Sequence, residues 1–372
     1  MSRLNPIRIV VKALILFALA NLAFAYFNPS LGNLTIFNHL VKGRLRFPAQ
    51  VAAVDQYNLG VLSFQDMDEM FTSHVISDGP KPPDEYRVIL LGDSSIWGYY
   101  LQPSEILSEQ INKLNLTTCT GKTVRAYDLA YPLPSFMRDL LILDKAKEYQ
   151  PDLIAWPVTM LTFLSNASDR SFLAYQSNLT LQLVNKYHLK VPAFAYLKPA
   201  SFKNRTIIAQ GSRINVVLAD QLYGLRWAAT DLDTDIFSGA TPSNDVSSDT
   251  VYYGYNSPAD LDALTDSFQF SALDAGRQLA AGTPVYFFNE PTFIANGANS
   301  SIRYNKYYPR WAYDAYRSQI GQWMMNQNLS YDDFWNAIPS SQFTNTPLHL
   351  TAEGESQLAA KLAPVLLNLS CK

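Results

Sequence analysis

The segment 87–92, Arg-Val-Ile-Leu-Leu-Gly, constrains the fold more than any other, because a short apolar run stopped by glycine is the pattern of a strand buried on both faces. Helical spacing follows over 103–114, then strand character over 124–129. A helix over 137–149 sets Leu140, Leu141, Leu143 and Ala146 on its apolar side, and a third strand fits 152–158. Alternating units of this kind bury their apolar faces only as a parallel sheet covered by helices, so the sequence predicts an α/β fold. From about 160 to 280 the alternation lapses. Clusters of Asn, Ser, Asp and Pro there separate longer helical stretches such as 214–228, and the region reads as an insertion. Strand character returns at 284–288 and again at 329–334, with helices over 309–326 and 352–367, so the regular core comprises 86–160 and 280–370.

The N-terminus carries a second strong signal. Arg3, Arg8 and Lys12 lead into an apolar run over 13–27 whose only polar member is Asn21, and counting back to Ile9 gives nineteen residues, close to a bilayer's thickness in helix. Basic residues ahead of the run and none just after it place the N-terminus in the cytoplasm and the chain from about residue 28 outside. Ala23-Phe24-Ala25 offers small residues to signal peptidase, so a cleaved signal competes with the uncleaved anchor that the length favours. The chain divides accordingly into an anchor or signal (1–28), a juxtamembrane linker (29–85) closed by Gly79-Pro80-Lys81-Pro82-Pro83, and an α/β domain (86–370) with its insertion at about 160–280. Outside the cytoplasm Cys119 and Cys371 can form one bridge, two buried thiols being the alternative.

Composition excludes some functions. The 29 basic and 32 acidic residues nearly balance, and no Lys/Arg stripe interleaves with aromatics, so a nucleic-acid partner is not expected. Neither CxxC spacing nor clustered His supports a metal. The 22 tyrosines suit stacking on sugars and ordinary packing alike.

Chemistry concentrates at two places. Gly92-Asp93-Ser94 lies where the first strand ends and its helix should begin, the edge of an open parallel sheet where ligands bind and where backbone N–H groups can hold an oxyanion. The competing reading is that Asp93 and Ser94 cap that helix. Of four histidines, His39 and His74 precede the core and His188 falls in the insertion, so these three read as surface or capping residues. Only His349 sits just before a C-terminal helix of the core, where an imidazole can serve as base to a serine. Asn289-Glu290-Pro291 and the loop holding Arg303 should roof the same edge, making Glu290 and Arg303 candidates for substrate contact.

Together the Gly92-Asp93-Ser94 turn and the His349 segment resemble the first and last blocks of the GDSL/SGNH hydrolase family, over roughly the α/β half of the chain. The resemblance implies a flavodoxin-like three-layer α/β/α sandwich, Ser94 as nucleophile and His349 as general base. It also implies ester hydrolysis or acyl transfer without a cofactor, on a small acyl ester or an acylated envelope glycan. In the family's pattern an aspartate precedes the histidine by three residues. Thr346 stands there, so Asn345 is the candidate to orient the imidazole, with Asp333 or Glu290 as carboxylate alternatives. Asp93, Ala130 and Thr159 occupy the neighbourhoods of the oxyanion and substrate groups, Ala130 in place of a glycine and Thr159 in place of the absent Gly-x-Asn-Asp asparagine. Those departures also support an alternative, a catalytically silent module that binds glycan or protein at the cell envelope.

Overall fold

The computed structural model describes residues 5–29, 31, 42–47, 49–53, 59–63, 66–163, 170–189, 197, 201–230, 241–344 and 346–371. Helix α1 (Pro6–Phe27) starts at Asn5, whose side chain accepts the Ile7 and Arg8 N–H groups, and stops where Asn28 turns into the left-handed region. Its 22 residues rise about 33 Å. Mean hydropathy of 2.1 in its most apolar window makes it long and apolar enough to cross a membrane. Strands β1 (Ala49–Ala53) and β2 (Leu59–Ser63) pair as an antiparallel hairpin, and helix α2 (Met67–Ser73) is capped by Asp66. The sequence showed no period in this region because each element is only one or two turns or a few residues long.

The core then runs β3 (Glu85–Leu90), α3 (Leu107–Lys113), β4 (Thr123–Asp128), α4 (Phe136–Ala146) and β5 (Leu153–Val158). Helices α5 (Arg170–Tyr175), α6 (Ser177–Tyr187), α7 (Gly211–Thr230), α8 (Leu261–Ser267) and α9 (Ser271–Leu279) follow. The chain closes with β6 (Val285–Asn289), α10 (Arg310–Asn326), β7 (Ser330–Asp333) and α11 (Ala352–Ser370).

Five strands form one sheet in the order β4-β3-β5-β6-β7, every neighbouring pair parallel. Numbered within the sheet this is 2-1-3-4-5, the flavodoxin-like order, whose direction of winding reverses between β3 and β5. Alternation along each strand divides the core into two layers. Val88, Leu90, Ala126, Ala155 and Phe288 join Leu107 and Ile111 of α3 and Leu358 and Leu362 of α11 on one face. Ile89, Tyr127, Ile154, Trp156 and Phe287 join α4, α9 and α10 on the other. The result is a three-layer α/β/α sandwich, and it explains why the strands read as unbroken apolar runs. Cys119 and Cys371 form a disulfide with Cα atoms 5.6 Å apart, tying the end of α11 to the loop before β4.

Helix α9 lies against α4 and the sheet. Its close approach requires Gly276, because a Cβ there would run into the ring of Trp156. That ring cannot retreat easily: its indole N–H donates to Asp139 Oδ2 at 2.9 Å and the residue is fully buried. Gly276→Ala is therefore expected to lower unfolding stability by about 1–3 kcal/mol, as overpacked cores do, read from the urea midpoint at unchanged slope. An unaltered midpoint would show that the two layers adjust freely.

Candidate active site

Strand β3 delivers its last residues to the switch point of the sheet. Gly92 takes φ of 129°, and a Cβ there would lie 2.9 Å from Ile96 and 3.1 Å from Pro157, so only glycine fits. Asp93 Oδ1 accepts the Ser95 N–H at 2.8 Å. The expected helix does not begin here. Trp97 N–H reaches the Asp93 carbonyl at 2.9 Å and Tyr99 N–H the Ser94 carbonyl at 3.1 Å, after which Gly98 and Tyr100 at φ of 76° and 73° turn the chain again. Helix α3 starts only at Leu107, past a short 3₁₀ turn over Pro103–Glu105. Asp93 thus caps a turn rather than a helix, and Ser94 is displayed on a compact loop. Among the described residues the Ser94 N–H has no acceptor.

This loop is held from below by a segment that the sequence reading assigned to a linker. The Arg46 guanidinium is buried and donates to the carbonyls of Trp97 at 3.0 Å, Gly98 at 2.7 Å and Leu101 at 3.0 Å. It also lies 4.1 Å from the Trp97 ring, while the Trp97 indole donates to the Phe47 carbonyl at 2.7 Å. Charge-assisted bonds to three carbonyls are the strong kind, and they fix the loop's path.

His349 arrives from the opposite end of the chain. Leu348 and Leu350 are buried in the two different core layers, which pins the backbone on both sides of the imidazole. Its N–H donates to Thr346 Oγ1 at 3.1 Å, its carbonyl accepts the Thr344 N–H at 2.8 Å, and Thr351 caps α11 two residues on. His349 Nε2 then lies 2.8 Å from Ser94 Oγ, a hydrogen bond across 255 positions of sequence. Tyr99 and Tyr100 stand edge-on to the imidazole at 5.1 and 6.2 Å. Burial, reinforced by the positive charge of Lys306, brings the His349 pKa down to about 3. The imidazole is therefore neutral at ordinary pH, the form that accepts a proton.

His349 Nδ1 is buried and has no hydrogen-bond partner among the described residues. Asn345 lies outside the described residues, as does His39. Neither carboxylate alternative bonds to Nδ1. Asp333 accepts from Asn289 Nδ2 at 2.9 Å and from Arg317 at 2.7 Å. Glu290 is buried, and desolvation followed by the nearby Asp93 carboxylate raises its pKa well above the usual range, so it is a neutral acid. Burial raises Asp93 in the same direction.

The remaining candidates have structural partners. The Ala130 N–H donates to Asp128 Oδ1 at 2.8 Å, so it is turned into an Asx turn instead of toward an oxyanion. Thr159 is buried, and its hydroxyl pairs with Tyr308 at 2.6 Å. Arg303 is nearly buried and its guanidinium is spent on the carbonyls of Asp249, Asn305 and Lys306, which makes it the staple of the roof loop rather than a free anion contact. His74 is also buried, with Nδ1 capping the turn at Ile76, whereas His188 is an exposed left-handed residue closing α6. Sequence reasoning missed Arg46, Tyr99, Tyr100 and Lys306. Gly98 preceding two tyrosines was the one local sign that the loop turns twice.

No family model and no curated protein matches the chain. Among solved structures it is similar to a carbohydrate acetylesterase family member from Sinorhizobium meliloti, at 12% identity over 76% of this chain and 98% of that one, with a TM-score of 0.33. It is also similar to a salicylyl-acyltransferase from a tetracycline biosynthetic pathway, at 11% identity over 78% of this chain and 56% of that one, with a TM-score of 0.31.

The protonation state of His349 can be read without any assay of activity. In a proton or nitrogen-15 NMR titration, with the resonance assigned through His349→Gln, the ring is expected to show no midpoint between pH 5 and 8, because its folded pKa lies far below the usual 6.5. A midpoint near 6.5 would contradict the burial and the charge environment described.

Proposed function

We propose that the protein is an extracytoplasmic serine esterase or O-acyltransferase that acts on small acyl esters, the acyl groups of cell-envelope glycans among them. The observation that carries this reading is the 2.8 Å contact between Ser94 Oγ and His349 Nε2 at the switch point of the parallel sheet. A serine hydroxyl is a poor nucleophile near neutral pH unless a base takes its proton, and a neutral, buried imidazole within hydrogen-bond distance is such a base.

In this reading Ser94 Oγ attacks the acyl carbon as its proton passes to His349 Nε2. The Ser94 N–H faces the developing oxyanion, a role that a backbone donor fills without reorganisation. His349 then returns the proton to the departing alkoxide, leaving an acyl-serine, and water or a sugar hydroxyl completes the reaction through the same base. The imidazolium formed midway needs a partner at Nδ1, because burial and Lys306 both disfavour its charge. Asn345 is proposed for that place; its amide oxygen can accept the Nδ1 proton as an asparagine does in cysteine-protease triads. The positive residues at the N-terminal end, Arg3 before α1 and Arg8 and Lys12 in its first two turns, and the Cys119–Cys371 bridge support a body outside the cytoplasm.

One observation favours a second reading, a catalytically silent module that binds acylated glycan or a protein. Ala130 N–H and Thr159 hydroxyl, the two further donors expected around the oxyanion, are both bonded within the protein, and loss of one such donor costs about 3 kcal/mol of transition-state stabilisation. The two readings separate on one assay. Wild type is expected to hydrolyse 4-nitrophenyl acetate and Ser94→Ala to lose that turnover by at least about a thousandfold with its circular dichroism unchanged. Turnover equal in the two proteins would remove Ser94 from the chemistry. No turnover in either, with acetylated glycan still bound in calorimetry, would establish the silent module.

A further inference from the structure

A polar pocket that shares no lining residue with the Ser94–His349 site lies at the C-terminal end of α1. It has a volume of about 520 Å³ and is lined by Asn28, Asn178, Asn204, Arg205, Gln210 and Arg213, with no acidic side chain in its walls among the described residues. Asn28 is the residue that ends α1. Arg213 is oriented by Asp66, outside the pocket, at 2.8 Å and by the ring of Tyr175 in the pocket wall, 4.3 Å from its guanidinium carbon. Arg205 has no such acid among the described residues. The Nε atoms of both arginines are buried and have no hydrogen-bond partner among the described residues. Two guanidinium groups in the wall of one polar hollow fit a tetrahedral oxyanion, which accepts several N–H bonds at once.

The surroundings say which oxyanion. Helix α1 packs on the 3₁₀ turn Phe202–Arg205, and Asn21 Oδ1 accepts the Ile208 N–H at 3.3 Å, so the 202–208 segment lies along the last two turns of α1. Phe202 and Ile208 on this segment are exposed, and so are Tyr26 and Phe27 at the helix end. Aromatic residues at the end of a spanning helix mark headgroup level. Helix α7 continues the same surface. Its Leu218, Leu222 and Leu225 form one exposed stripe at spacings of four and three, turned away from the flank where Arg213 and Val217 meet the body.

We propose that this pocket binds the phosphate of a phospholipid headgroup, with the lipid's chains lying along α1 and the α7 leucine stripe resting on the bilayer. The proposal rests on α1 being a membrane anchor. The pocket then sits at headgroup depth on the outer side. Its effect is to set the body at a fixed height and tilt, which a single flexible anchor does not do.

The full-length chain in phospholipid-free detergent is titrated with phosphatidylglycerol and followed by native mass spectrometry. Wild type is expected to bind one lipid, Arg205→Gln to bind it at least about tenfold more weakly, and diacylglycerol, which lacks the phosphate, to compete poorly. Ala209→Glu, which sets a carboxylate in the pocket wall at an exposed position, is expected to weaken binding as well, so a poorly folded Arg205 variant does not decide the result. Equal affinity of wild type and both variants, or of the two lipids, overturns the proposal. Saturation by inorganic phosphate with no uptake of phosphatidylglycerol also overturns it, by assigning the site to a soluble anion. Anchoring is read separately, by resistance of wild type and Arg205→Gln to alkaline carbonate extraction from membranes. Extraction of both would remove the anchor on which the proposal rests, even with lipid bound in detergent.

Discussion

The arrangement depends on one hydrogen bond between a hydroxyl and an imidazole that the chain separates by 255 positions. Ser94 and His349 have no local reason to meet. They meet because β3 and β5 diverge in winding at the middle of the sheet, leaving an open crevice above the strand ends, and because α11 returns to pack against α3 beside that crevice. The Cys119–Cys371 bridge closes the outer end of the same helix pair. Sheet order, helix packing and the bridge therefore act on the same variable, the distance from Oγ to Nε2.

Precision at the crevice comes from below and from the side. Arg46 ties three carbonyls of the nucleophile loop, and Leu348 and Leu350 lock the histidine between two core layers. Behind the loop, Asp93 and Glu290 are both buried, which raises both carboxyl groups, and the Asp93 charge further opposes ionisation of Glu290. Neutral Glu290 keeps negative charge from accumulating beneath Ser94, whereas Lys306 sets positive charge near the imidazole. The local field thus favours an anion at the reacting carbonyl more than a cation at the base, which places the demand for imidazolium stabilisation on Nδ1.

Much of the scaffold was legible because strands buried on both faces and amphipathic helices write their burial directly into apolar spacing. The runs at 87–92, 124–129 and 152–158 correspond to β3, β4 and β5, and 284–288 to β6. The positions of Ser94 and His349 followed from strand ends and the last helix. Less legible was everything set by packing between distant segments. Arg46 lies in a stretch with no period, and nothing local says that its guanidinium reaches Trp97, Gly98 and Leu101. Arg303 reads as a substrate contact because it is a charge on a roof loop, yet two carbonyls of that loop and the Asp249 carbonyl of the insertion accept its N–H groups. The helix predicted over 103–114 forms at Leu107–Lys113, and the turns between it and Ser94 come from Gly98 and Tyr100 at positive φ.

The most direct test is reaction of the folded protein with a fluorophosphonate, followed by peptide mass spectrometry. Stoichiometric modification of Ser94 that is lost in His349→Ala is expected, because only a serine whose proton is drawn off by its neighbour attacks phosphorus at a useful rate. A folded protein in which Ser94 stays unmodified, or is modified equally without His349, would contradict a working serine–histidine pair.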